Sequence, residues 1–506
     1  MAMLEDLTRG SIVRGVVPDS SVTVVDVRWH GSAAVELTHA DERGTIGHAT
    51  LSRGDEPSLV VSSVGQPIPD VGRFTGALLG GAIGDALGRP VEGLTPTQIS
   101  ARYGRITAYQ DGTVGTITDD TQLTMCVAAC LATHGYLDAD DLARRLIDWL
   151  PEGRGKGRAT VAAVERLVRG MPWDLAGEES SGNGAAMRAA PVGLAFWDDP
   201  GRLRADAALS ALPTHRAPMA VAGAVAMAAA TAFLVTRRPG EWTVPKFLSA
   251  VRAAIAGLEP GPVPERRDPS VCTTLSERLG ELPKLLDLPP EEVFARLYNG
   301  AFVLESLPAA FYCFLRSPTD LEEALLVAVN AGYDADTVAA MAGTLGGALN
   351  GEATLPERLL ADLEYRDELR ALGRQLHSMA IYGDSTAALE VEGGLAGPCI
   401  ANANLANTTI PAGDADWVDI WRFALTFDGY RLWGTSELCG TLANRWSKAY
   451  GRNAALPPTL AELRTCLFFE QRRWRHFDGD PHATARPYIV ALLEGIRLKV
   501  AAGSWF

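Results

Sequence analysis

The sequence predicts a mainly α protein: a large all-α core, preceded by a small β-rich domain and followed by a helical unit. Three observations carry this. Over residues 72–379, alanine-rich apolar runs recur with helical spacing and no convincing strand alternation. Before them, short β-branched segments are separated by Gly, Asp and Pro. After them come a stretch rich in Gly, Ala and Asn (380–412) and a segment with a dense aromatic load (413–506).

With 506 residues, 47% apolar and 21% charged, the chain has material for several domains and a sizeable core. A formal net charge of -15 argues against a general binder of nucleic acid or anionic membranes. Seven cysteines are scattered without a CxxC pair, which fits reduced thiols in a cytoplasmic protein. Charged residues begin by Glu5, so no apolar signal core opens the chain. The longest uncharged apolar run, 219–235, is short for a membrane span and rich in alanine; a buried core helix is expected.

Residues 1–68 read as a barrel or meander, with Val22, Val24, Val25, Val27 and Trp29 in one strand and further strands at 33–37 and 45–51. This part offers no catalytic cluster, and an adaptor role that docks a protein partner is expected of it. Gln66-Pro67-Ile68-Pro69 forms a linker. In the core, Gly76, Gly80, Gly84 and Gly88 recur every fourth residue and line roughly one face of a helix, where another backbone can approach. Further helices are expected at 140–150, 159–169, 204–212, 217–235, 245–256, 291–298, 302–315, 320–329, 355–363 and 366–377. Residues 380–412 read as a linker or ordered coil, and 413–506 as a C-terminal helical domain.

Two acidic stretches stand out. Thr118-Asp119-Asp120-Thr121 and Asp334-Ala335-Asp336-Thr337 each open an apolar helix, 122–131 and 338–349. Carboxylates suit a first helical turn, where N–H groups are free and the dipole is positive. Capping explains one acidic residue per helix. A pair of carboxylates and a hydroxyl at the head of a buried helix calls for neutralisation, which a hard divalent cation supplies through oxygen ligands. On spacing alone, capping and metal ligation both remain open.

Three more stretches join them: Gly84-Asp85-Ala86-Leu87-Gly88-Arg89-Pro90-Val91-Glu92, Ser180-Ser181-Gly182-Asn183-Gly184-Ala185-Ala186-Met187-Arg188, and Thr214-His215. Taken in order, the five resemble the ADP-ribosylglycohydrolase family over residues 72–378. The resemblance implies an all-α fold with two divalent cations, Mg²⁺ or Mn²⁺, held by Thr118, Asp119, Asp120, Asp334, Asp336 and Thr337. It implies that Glu92, as acid/base or as a gated metal contact, with Asp119 and Asp120, carries the catalytic work, and that Ser180, Ser181, Gly182, Asn183, Gly184 and His215 contact substrate. Arg188 is expected as a buried ion-pair partner, and for Asp85, which sits among packing glycines, a role in the site and a structural one are both open. The implied reaction is hydrolysis of the glycosidic bond between ADP-ribose and an acceptor, which is a protein side chain, a nucleic acid or a small molecule. Competing readings are a non-catalytic ADP-ribose-binding scaffold and a metal-dependent phosphohydrolase. One departure stands out: the family's last motif most often has glycine before its first aspartate, and this chain has Tyr333. Tyr333 either narrows the cleft and shapes the choice of acceptor, without binding metal, or fills the core beneath it.

Overall fold

The structure is a computed structural model describing residues 2–382, except 9, 18, 19, 42–45, 64–67, 111, 113, 239 and 260. The expected C-terminal helical domain and all but the first three residues of the expected linker lie outside the described residues.

The N-terminal part is a five-stranded antiparallel sheet: β1 (Ile12–Arg14), β2 (Ser21–His30), β3 (Ala34–Ala40), β4 (Ile46–Ser52) and β5 (Val60–Ser63), in the order β4-β3-β2-β1-β5. It is an open meander whose last strand returns to the free edge of β1. The sequence pattern shows β2 to β4 but not the short β1 and β5. One irregularity explains the run of β2. Valines at 22 and 24 share a face, yet so do Val27 and Trp29, which belong to the opposite phase. A bulge between Val24 and Asp26 supplies the missing step, leaving Val25 as the extra residue. Val22 and Val24 are therefore core, Val27 and Trp29 pack against that core, and Val25 is 36% exposed.

The helical body is built around two antiparallel helices, α1 (Val71–Gly88) and α5 (Ala335–Asn350). Between them in the chain lie α2 (Asp119–His134), α3 (Pro218–Val235) and α4 (Val303–Arg316), and α6 (Arg366–Tyr382) follows. The glycine repeat of α1 meets small residues of α5. A Cβ at Gly80 would overlap the carbonyl of Gly343, and one at Gly84 that of Ala339. In return, a Cβ at Gly343 or Gly347 would overlap the carbonyls of Gly80 or Gly76. The two backbones therefore touch, and the contact runs in order: Gly76 beside Gly347, Gly88 beside Asp336. This brings the end of α1 to the start of α5. Helix α5 is buried from Ala335 to Leu349 and also packs on α3, α4 and Leu321–Asn330.

Helix α3 is long and apolar enough to cross a membrane by length and composition, but 89% of it is buried inside the protein, as expected of a core helix. Arg73 closes its C-terminal end by donating to the carbonyls of Leu234, Val235 and Arg237. Helix α6 packs on α1 and α2 and touches β2, while His377 on it bonds the Pro69 carbonyl. The body differs from the expected pattern: helices at Pro96–Tyr103, Ala190–Ala195 and Leu275–Leu285 are not expected from it. A small hairpin, Val263–Pro264 with Cys272–Thr273, interrupts the helices. The helix expected at 355–363 is one turn, Glu357–Leu360.

Candidate active site

Thr118 is the N-cap of α2, and its Oγ1 accepts from the Asp120 N–H at 3.3 Å. The rest of that helix start is held from α1. Asp85 is fully buried and accepts from Thr118 N at 2.9 Å and Oγ1 at 2.8 Å, and from Thr121 N at 3.1 Å and Oγ1 at 2.5 Å. A carboxylate 33 residues upstream thus satisfies the free donors of α2. Asp120 is left for other work. Its Oδ2 takes the hydroxyls of Thr118 and Thr337, each at 3.2 Å. Its Oδ1 is buried with no hydrogen-bond partner among the described residues.

At the head of α5, Asp334 makes no side-chain cap. Its carboxylate instead accepts from Asn183 Nδ2, and its N–H donates to the Asn299 carbonyl at 2.9 Å. Because Gly88 lies against the backbone of Asp336, the carboxylates of both helix starts converge. Oxygens of Asp85, Asp120 and Asp336 lie within 4.8 Å of one another, and so do oxygens of Glu92, Asp334 and Asp336. The two trios share Asp336.

These groups lift one another's pKa values. Burial is the main cause throughout. It raises Asp119 to about 8 and Asp334 to about 7, and takes Asp120 and Asp336 well above the ordinary range, with Asp336 and Asp334 respectively adding like charge. Burial likewise pushes the Glu92 and Asp85 carboxyls up. Uncompensated oxygens, an orphaned Asp120 Oδ1 and a purely carboxylate and hydroxyl donor set fit hard divalent cations, whose binding would displace the protons.

The acidic floor opens into a cleft of about 670 Å³. Glu92, Asp119, Asp120, Asp334, Asp336 and Thr337 line it together with loop 180–184 and His215. The loop is pinned to the start of α4: Asn183 N donates to Ala301 O at 3.1 Å and Val303 N to Ser181 O at 3.0 Å. His215 is 3% exposed, contacts the Thr214 hydroxyl at 2.9 Å, and is driven down to about 3 by burial and by Arg188. It is a neutral imidazole. Arg188 differs from the expected ion-pair partner. It is fully buried on neutral acceptors, the carbonyls of Gly184 and Ser210 and the Thr214 hydroxyl, and anchors the loop.

Two further placements depart from expectation. Thr118 does not line the cleft, since its hydroxyl turns to Asp85 and Asp120; Asp85 completes the first acidic trio. The ring of Tyr333 lies 4.8 Å from that of Tyr298 and is not part of the cleft lining. Its backbone explains why glycine suits this position: φ is +57°, in the left-handed region. Tyr333 N donates to Leu94 O at 2.7 Å and Gly93 N to Tyr333 O at 2.6 Å. That pair ties the loop bearing Glu92 to the residue before Asp334. Sequence reasoning missed the other wall residues, among them Arg158, Arg266 and Phe302. Loop 153–158 was also missed: Gly157 N donates to Asp119 Oδ2 at 3.3 Å. Its three glycines, spaced by Arg and Lys, were the available signal.

Sequence comparison with known proteins identifies a family. The ADP-ribosylglycohydrolase family model matches residues 67–384, and a domain of unknown function, DUF8742, matches residues 3–60. An uncharacterized protein of Archaeoglobus fulgidus is 34% identical over 314 residues, 61% of this chain and 96% of its own. The ADP-ribosylhydrolase ARH3 of Danio rerio is 30% identical over 350 residues, 62% of this chain and 92% of its own. A solved ADP-ribosylglycohydrolase-related protein complex aligns at TM-score 0.49 and 31% identity, over 61% of this chain and 98% of that one. With a family match over more than half of its length, the chain belongs to the ADP-ribosylglycohydrolase family and is a glycohydrolase.

Proposed function

We propose that the protein is a metal-dependent hydrolase that removes ADP-ribose from an acceptor, using two divalent cations, Mg²⁺ or Mn²⁺. The observation that supports this best is the pair of acidic trios sharing Asp336 at the floor of one cleft. Bound there, the cations would supply Lewis acidity toward ribose hydroxyls and a water. The chain's own groups do the rest. Asn183 and Thr337 orient the carboxylates of Asp334 and Asp120. Glu92, exposed at the cleft with its carboxyl beside Asp336, is our choice for moving the proton. In the reaction, water oxygen bonds to the anomeric carbon of ribose, the bond to the acceptor breaks, and the water proton ends on the acceptor atom.

Asp336 belongs to both trios, so it is the residue to test. In Asp336→Ala we expect loss of at least one divalent ion per chain by elemental analysis, and loss of turnover with it. Two ions retained with normal turnover would remove Asp336 from the centre. The acceptor is read out by offering arginine-, serine- and nucleotide-linked ADP-ribose and identifying products by mass spectrometry.

A further inference from the structure

Arg266 sits in the hairpin between Val263–Pro264 and Cys272–Thr273, and its neighbours are clamped. Glu265 pairs with Arg278 at 2.6 Å and with Arg267 at 3.1 Å, and Arg267 lies 5.6 Å over the Tyr298 ring. Arg266 itself is exposed, lines the cleft, and makes no hydrogen bond or ion pair among the described residues. Behind it, at the base of the same wall, Glu305 is 1% exposed and neither of its oxygens has a hydrogen-bond partner among the described residues. Arg266 is foremost among the cations whose field reaches that carboxyl. The guanidinium is thus drawn to the wall but left with its donors free.

The substrate requires such a group. ADP-ribose carries two phosphates into a cleft floored by carboxylates, where unpaired anions are repelled. Loop 180–184 has already spent two of its amides: Gly182 N donates to Ser180 Oγ at 3.1 Å, and Asn183 N to Ala301 O at 3.1 Å. Two arginines line the cleft, Arg158 and Arg266. Arg158 follows Gly157, whose N–H is bonded to Asp119, and opens a helix whose Thr160 lies against Gly184 at the far end of the loop. Arg266 lies within electrostatic reach of Tyr298 and Glu305, which flank Ala301 and Phe302, the segment against which Gly182 is paired. Arg266 thus stands toward the Ser181–Asn183 side of the loop and Arg158 toward the Gly184 side, and Arg266 alone of the two has a buried, unpartnered carboxyl, Glu305, behind it.

We propose that Arg266 is the phosphate-recognising residue of the cleft, pairing with the pyrophosphate of the ADP-ribosyl group beside loop 180–184. This rests on reading the cleft as an ADP-ribose site. Arg266 is exposed and unbonded, so its replacement leaves the fold intact. The test is calorimetry of the full-length wild type, Arg266→Gln and Arg266→Lys with ADP-ribose and with adenosine, at two salt concentrations. In Arg266→Gln, ADP-ribose binding should weaken roughly 10- to 100-fold, as loss of a charge-assisted hydrogen bond does. Its salt dependence should flatten, adenosine binding should stay unchanged, and Arg266→Lys should recover part of the loss. If the wild type binds ADP-ribose no better than adenosine, the ADP-ribose reading fails and this proposal falls with it. If the wild type binds ADP-ribose tightly and Arg266→Gln binds it equally, only the role of Arg266 is overturned.

Discussion

Glu92 and His215 face the same cleft with opposite prospects. Glu92 is exposed, and Gly93 beside it is tied to Tyr333, so its carboxyl is held in position without being packed. Glu92→Gln keeps volume and removes the proton site. We expect kcat to fall roughly 10²-fold, the size of a general acid–base contribution. Elemental analysis separates the two roles that the geometry gives Glu92: metal content stays at the wild-type level if it only moves the proton, and falls if the trio with Asp334 and Asp336 needs it to hold an ion. His215 is buried and neutral, with a pKa of about 3 against an ordinary 6.5. The unfolded chain therefore binds a proton below pH ~6.5 that the folded chain refuses until about pH 3, so folding stability is lost as pH falls through that window. The raised carboxylates of the floor act with the opposite sign, so the imidazole is read as a difference: below pH ~6.5 the melting temperature of the wild type should fall relative to that of His215→Asn. Activity should show no limb from this imidazole.

At the scale of elements, the contact between α1 and α5 decides where the chemistry sits. A methyl group at Gly84 would overlap the Ala339 backbone, which has no rotamer through which to yield. Gly84→Ala should therefore cost about 1–3 kcal/mol of stability, read as a lower thermal midpoint. The same contact shows what was legible in the sequence. The repeat Gly76, Gly80, Gly84, Gly88 announced a close backbone neighbour, and the two acidic helix starts announced themselves because capping chemistry is local. The pairing of α1 with α5 was not legible, since the partners lie some 260 residues apart and no local rule joins them. For the same reason Asp85 could be read as a packing residue: its four donors are on another helix. The β2 bulge was hidden because an extra residue leaves valines at 22, 24, 25 and 27 all plausible in strand. Arg266 gave no signal at all, being one arginine in a polar hairpin whose position depends on Tyr298 and Arg278.

For the whole molecule, α6 belongs to the helical body because it packs on α1 and α2. A chain limited to residues 68–382 should fold and cleave a small ADP-ribosylated substrate; circular dichroism showing no helix would mean the sheet is needed for the body to form. Activity on a large target is where the flanking parts should matter, through raised effective concentration. The backbone-to-backbone seam of α1 and α5 has a further consequence. Along that seam backbone meets backbone, so the distance between α1 and α5 is set by the glycines and not by the packing of larger side chains. Divergence in this scaffold is thereby channelled into its walls, where loop 180–184 and the 263–273 hairpin can be lengthened or recoded while the reaction underneath stays the same.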